Sequence, residues 1–219
     1  MNIKKTNIKK IFEIFESFNP DPKTELEYKN EYTLLIAIIL SAQAKDQMVN
    51  IATKNLFEIC DTAEKMMNYG LKNIELEISS LNFYKTKAKN IFQTSKIIFE
   101  KYSNNIPKNF DELILLQGVG RKTANVFLGI TTENKEKRIG VDTHVSRVCF
   151  RIGMTSSDND IPKIEDELKK IIPNKFFQNS HHWLVLHGRY ICKSKKPLCL
   201  ECKISKYCKN FLESNNKFN

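Results

Sequence analysis

Four cysteines fall inside one seventeen-residue window, in the order Cys192-x6-Cys199-x2-Cys202-x5-Cys208. Thiolates are soft metal ligands, and four from one continuous segment suit an iron–sulfur cluster of the four-iron type. Four-cysteine zinc is the competing chemistry. Zinc sites pair two Cys-x2-4-Cys knuckles, however, and here only Cys199-x2-Cys202 is one. Lys193, Lys195, Lys196, Lys203, Lys206 and Lys209 stud the same segment. A cluster with its thiolates is negative, so neighbouring lysines are favoured there, and the loop can also turn them towards phosphates. The bland alternative is that they only face solvent.

A second chemistry-bearing string lies upstream, Leu116-Gln117-Gly118-Val119-Gly120-Arg121-Lys122. Glycines permit a sharp turn and a close approach of the backbone to a ligand. Amides of such a turn at a helix N-terminus bind phosphate oxygens without reading sequence, which makes Gly118, Val119, Gly120 and Arg121 candidate DNA contacts. Lys122 falls in the first turn of the following helix, where the helix dipole and Arg121 both disfavour an ammonium. A neutral lysine amine is a nucleophile that forms Schiff bases; a plain phosphate-binding lysine is the alternative. Asp142 precedes Thr143-His144-Val145 and reads as a helix N-cap. A carboxylate held there can also support positive charge at a sugar C1′ and relay protons.

The 219 residues suffice for one large domain or two small ones, and 41% hydrophobic content allows a proper core. The formal charge of +10 favours a polyanionic partner, although lysines scattered over solvated faces would give the same sum. With a bound four-iron cluster the net falls to about +8. The remaining cysteines, Cys60 and Cys149, read as small buried hydrophobes. No signal-peptide pattern follows Met1, and the apolar run Leu34–Leu40 is far too short to span a bilayer. A soluble, cytoplasmic protein in a reducing compartment is expected, monomeric and without a membrane partner.

The elements that must position these residues are helical almost throughout. Ile8, Ile11, Phe12, Phe15 and Phe18 line a first helix, stopped at Asn19-Pro20-Asp21-Pro22. Leu34–Leu40 should be a buried helix, and Met48, Ala52, Leu56 and Ile59 mark the next. A long amphipathic helix carries Ala88, Ile91, Phe92, Ser95, Phe99 and Tyr102 and ends before Pro107. Short helices cover Asp111–Leu116 and Arg121–Ile130 around the glycines. Residues 131–138 read as a linker. Helices then run from Asp142 to Gly153, from Pro162 to Pro173, and from Phe176 to Ile191, the last delivering Cys192. The tail after Cys208 is polar and reads as frayed.

Together these strings resemble the endonuclease III family, bifunctional DNA glycosylases and AP lyases with a helix-hairpin-helix motif. The matching segments are Leu40-Ser41-Ala42-Gln43-Ala44, Tyr84-Lys85-Thr86-Lys87-Ala88, Leu116 to Val126, Val141-Asp142-Thr143-His144-Val145, His181-His182-Trp183-Leu184, and Leu186-His187-Gly188-Arg189-Tyr190. They run in family order from about residue 8 to Cys208.

The resemblance implies an all-α protein of two helical domains flanking a DNA-binding cleft. Residues 1–22 would form an N-terminal helix packing with the cluster domain, 23–136 a six-helix domain with the hairpin, and 137–219 the helical cluster domain. Lys122 would be the Schiff-base nucleophile and Asp142 its acidic partner, with a 4Fe-4S cluster on Cys192, Cys199, Cys202 and Cys208. Gln43 would fill the gap left by a flipped nucleotide, and Phe83 would be the apolar wedge between bases. From the residues alone, Phe83 and Tyr84 read as core aromatics and Gln43 as a surface or cap residue. His144, His181, His182 and His187 read as core or backbone-bonded, while the resemblance also places His144 at the DNA. The chain departs from the family pattern at Asn82, Lys85 and Lys45. The implied partner is duplex DNA with damaged pyrimidines or abasic sites, and the implied activity is excision of oxidised pyrimidines with strand cleavage 3′ to the lesion. Monofunctional relatives lack the lysine, and a DNA-binding module without turnover is the non-enzymatic alternative.

Overall fold

The described residues form helices and turns and no strand, as the 3.6-residue periodicity requires. The structure, a computed structural model, describes residues 3–132 and 136–215. The central residues of the expected 131–138 linker, 133–135, therefore lie outside the described part. The chain divides into two compact units, one of Thr24–Thr132 and the other of the described residues on either side of it.

The Thr24–Thr132 unit contains α2 (Glu31–Leu40), α3 (Asp46–Ile59), α4 (Ala63–Tyr69), α5 (Leu71–Glu77), α6 (Tyr84–Tyr102), α7 (Phe110–Leu113) and α8 (Arg121–Thr131). Helix α2 is apolar all round because it is buried all round; every residue from Tyr32 to Leu40 lies in the core. Its start is set by a capping box, in which Asn30 Oδ1 accepts the Thr33 amide at 2.9 Å and Thr33 Oγ1 accepts the Asn30 amide at 3.0 Å. The buried hydroxyls are paired as well: Tyr32 and Ser95 sit 2.5 Å apart, and Ser95 Oγ donates to the Ile91 carbonyl. Each large aliphatic in this layer contributes about 2 kcal/mol by burial. In α3 the buried face is Val49, Ala52, Thr53, Leu56 and Phe57, whereas Met48 and Ile59 are exposed. The expected stripe is thus rotated by one position, because Thr53 turns its hydroxyl back onto the Val49 carbonyl and can enter the core. Helices α4 and α5 carry too short a stripe to read from sequence; Gly70, at φ +86°, ends one and starts the other.

The second unit holds α1 (Lys5–Phe18), α9 (Thr143–Ile152), α10 (Ile161–Ile171), α11 (Asn174–Tyr190), a 3-10 turn at Ser205–Tyr207 and α12 (Lys209–Asn215). Phe12 of α1 stacks on Phe176 of α11 at 5.8 Å and meets Trp183 at 6.1 Å. The Trp183 indole donates to the Asn19 carbonyl at 2.7 Å, which ties down the end of α1. Phe18 falls outside this contact and is exposed. Helices α9 and α11 pack closely through Gly188, where a β-carbon would lie 2.8 Å from that of His144. The segment after Cys208 is not frayed at its start: it forms α12, with the Leu212 amide bonded to the Cys208 carbonyl at 3.1 Å. Phe211 supplies the apolar anchor that a polar composition hides.

Candidate active site and cysteine loop

In the Thr24–Thr132 unit, the turn between α7 and α8 is seated on α6. Thr94 Oγ1 donates to the Gln117 carbonyl at 2.8 Å. Gly118 adopts φ +79°, and a β-carbon on it would lie 3.0 Å from side-chain atoms of Asn90 and Ile39. The Val119 side chain is buried, so Val119 can reach a ligand only through its backbone. Gly120 is exposed, is the N-cap of α8 and faces open space where its β-carbon would be. Gly120 has no side chain with which to cap α8. A ligand can therefore approach the amides of its first turn. Arg121 and Lys122 are the first two residues of that turn and both are exposed; the Arg121 guanidinium lies 5.5 Å from the Phe110 ring centre.

Gln43 and Phe83 share an uncommon backbone. Gln43, between α2 and α3, has φ +54°, and Phe83, the N-cap of α6, has φ +58°. Left-handed conformations cost a non-glycine residue about 1–2 kcal/mol. Phe83 is 66% exposed, so it is not a core aromatic, whereas Tyr84 beside it packs on the core. Lys45 is the N-cap of α3 and supplies no capping bond.

In the other unit, Asp142 is the N-cap of α9, and its Oδ1 accepts the amides of His144 and Val145, both at 2.9 Å. The carboxylate is thus held in one orientation. The elements behind it are stitched by Arg147. Its guanidinium donates to the Thr143, Gly188 and Cys192 carbonyls at 3.0, 2.8 and 3.1 Å, and lies 3.4 Å from His144 Nδ1. One turn on, Arg151 Nη1 lies 3.6 Å from Cys192 Sγ and donates to the Lys193 carbonyl at 2.8 Å. Sequence reasoning did not single out either arginine. The available signal was their spacing from Asp142 along one amphipathic helix. His181 Nδ1 donates to the Gly140 carbonyl at 2.9 Å, two residues before Asp142. Burial pushes the neighbouring His182 down to about 4.

The four cassette cysteines line one small cavity that is partly open to solvent, together with Ile152, Ile191, Pro197, Leu198, Ile204 and Phe211. None of them is in a disulfide. Burial pushes the Cys202 thiol up to about 11 and raises that of Cys208. Thiolates in so apolar a lining would be stabilised by a cationic centre among them. Among the described residues, no three His, Cys, Asp or Glu side chains gather as a single-ion site. Four sulfurs arranged around a cavity fit a polynuclear centre better than one zinc, which needs all four about 2.3 Å from a point. Lys193, Lys195, Lys196, Lys203 and Lys206 of this loop are exposed.

Residues 36–174 match the family described as HhH-GPD superfamily base excision DNA repair protein. The chain is 50% identical over 208 residues to the endonuclease III of Rickettsia felis, covering 93% of this chain and 94% of that one. It is 41% identical over 190 residues to that of Escherichia coli K12, covering 87% and 89%. A solved structure of a trapped endonuclease III–DNA covalent intermediate, in an estranged-adenine complex, superimposes with a TM-score of 0.86 at 36% identity, covering 97% of this chain and 99% of that one. A thermostable thymine-DNA glycosylase shares the fold, with a TM-score of 0.82 at 19% identity over 95% and 98% of the two chains. The chain belongs to the HhH-GPD superfamily of base excision repair proteins and, within it, to the endonuclease III family. Its activity is that of a DNA glycosylase and AP lyase acting in base excision repair. Among the described residues no helix is long and apolar enough to cross a membrane.

Proposed function

We propose that the protein excises oxidised pyrimidines from duplex DNA with Lys122 as nucleophile and Asp142 as its acidic partner. The observation that carries this reading is the exposed Lys122 in the first turn of α8, directly behind a glycine turn with accessible amides. Those amides and Arg121 grip the phosphates, while the damaged nucleotide leaves the stack because its reacting atom is unreachable within it. The neutral Lys122 amine forms a bond to C1′, and the electrons of the glycosidic bond depart with the base, which takes up a proton. The nitrogen then gives up a proton and its lone pair forms the C1′=N bond as the C1′–O4′ bond breaks; O4′ takes up a proton, and the opened sugar is held as the Schiff base. It acidifies the 2′ hydrogen, and removal of that proton expels the 3′ phosphate by β-elimination. Asp142, fixed by two amides, supports the cationic sugar and assists these proton transfers.

Phe83 acts as the apolar wedge, supported by its exposure, and Gln43 occupies the gap left by the extruded nucleotide. His144 contacts the DNA, and the protein works as a monomer in the cytoplasm. Cys192, Cys199, Cys202 and Cys208 hold a 4Fe-4S cluster, supported by their common cavity. When bound, it cross-links the loop that carries the exposed lysines and supplies a one-electron couple.

Borohydride trapping on a duplex with one thymine glycol tests the reading. A covalent adduct with the native chain that disappears in Lys122→Ala supports it. Base release without an adduct would make the enzyme monofunctional and leave Lys122 as a phosphate contact.

A further inference from the structure

We propose that His187 donates an Nε2–H···S hydrogen bond to the Cys202 thiolate and thereby sets the reduction potential of the cluster. The inference rests on the 4Fe-4S reading of the cysteine loop. His187 lies in the last turn of α11 and lines the cysteine cavity, with Nε2 3.8 Å from Cys202 Sγ. Its ring packs against Phe15 of α1 at 5.3 Å between centres. Its carbonyl accepts the amides of Ile191 and Cys192 at 3.0 and 2.7 Å. One residue thus holds two of the four cysteines, Cys192 through its backbone and Cys202 through its ring.

A metal-bound cysteine has no proton. The contact with Cys202 is then a hydrogen bond only if the hydrogen resides on Nε2, so the ligand itself selects the tautomer. A donor at a ligand sulfur favours the more electron-rich state of a cluster, which raises its potential. The surrounding Ile, Leu, Pro and Phe side chains offer little competing solvation, so the effect of one donor is enlarged. Arg151 also points at a sulfur, but it bonds the Lys193 and Ser194 carbonyls at 2.8 and 3.0 Å and is part of the loop scaffold. His187 is a positioning residue of a different kind, because its ring nitrogen offers the cavity a single bond.

The test uses purified, cluster-loaded protein as native chain, His187→Phe and His187→Gln. Iron content and visible absorption first establish four irons per chain, and direct electrochemistry then gives the midpoint potential. The expected result is a shift to more negative potential in His187→Phe and a smaller shift in His187→Gln, which keeps an N–H donor. In the native protein labelled with ¹⁵N-histidine, the paramagnetic cluster should show a nitrogen coupling that His187→Gln removes. Unchanged potentials in variants that retain four irons overturn the inference. If His187→Phe loses the cluster, the labelled native protein decides, and absence of the coupling overturns the inference. A native chain that takes up no four-iron cluster refutes the cofactor reading itself.

Discussion

Gly118 is pressed against Asn90 so closely that a β-carbon on it would lie 3.0 Å from the Asn90 β-carbon and equally near Ile39 Cγ2. Its φ of +79° excludes most other residues independently. Two glycines separated by one residue therefore have different duties. Gly118→Ala is expected to cost about 1–3 kcal/mol of stability, measured by denaturant unfolding. Gly120→Ala, with open space at its β-carbon and φ −88°, is expected to lose only the N-cap preference for Gly over Ala, about 0.5–1 kcal/mol, while weakening DNA binding at least several-fold. Equal losses of stability in both would contradict this division.

Asp142 combines a cap with a charge, and substitution separates the two. Asn is as good an N-cap as Asp, so Asp142→Asn should unfold within about 0.5 kcal/mol of the native chain yet lose most of its glycosylase turnover. Asp142→Ala removes the two amide bonds as well and should cost a further 0.5–2 kcal/mol, or about 1 in the typical case. Full turnover in the Asn variant would leave Asp142 a cap alone.

Lys45 stands at the N-cap of α3 and makes no capping bond. Lys45→Thr should stabilise the protein by about 0.5–1 kcal/mol, read as a higher denaturation midpoint at unchanged slope. An unchanged midpoint would show that another group already satisfies the first turn.

Lys87 is a buried lysine, 6% exposed, whose Nζ has no hydrogen-bond partner among the described residues. Burial lowers its folded-state pKa. The unfolded chain therefore holds the proton more tightly, and the penalty is complete below the folded value. It fades as pH rises from there towards the unfolded value of about 10.4. Lys87→Met should stabilise by about 1–3 kcal/mol at neutral pH, and its advantage should shrink with rising pH. A pH-independent difference would indicate packing rather than charge.

Phe83 lies outside the core, so Phe83→Ala should leave unfolding within about 0.5 kcal/mol while lowering lesion excision on duplex DNA. Excision from an already single-stranded or mismatched site should suffer less, since unstacking is then cheaper. A large loss of stability would return Phe83 to a structural role.

Much of the candidate site was legible because its spacing is local. The cysteine intervals, the glycine pair with Lys122 behind it, and the N-cap position of Asp142 each lie within one turn or one loop, where residue type and backbone geometry are coupled directly. Helical periodicity showed α1, α2, α6, α9, α10 and α11 for the same reason. Tertiary structure decided what long-range packing controls. It rotated the buried face of α3, folded α12 onto the cavity through Phe211, and left Phe83 exposed where hydrophobicity alone suggests a core residue. It also brought Arg147, Arg151 and His187 to the cysteine loop. These last contacts join α9 and α11 to a segment that no local pattern connects with α9. The close approach at Gly188 brings the two helices together, and with them the loop.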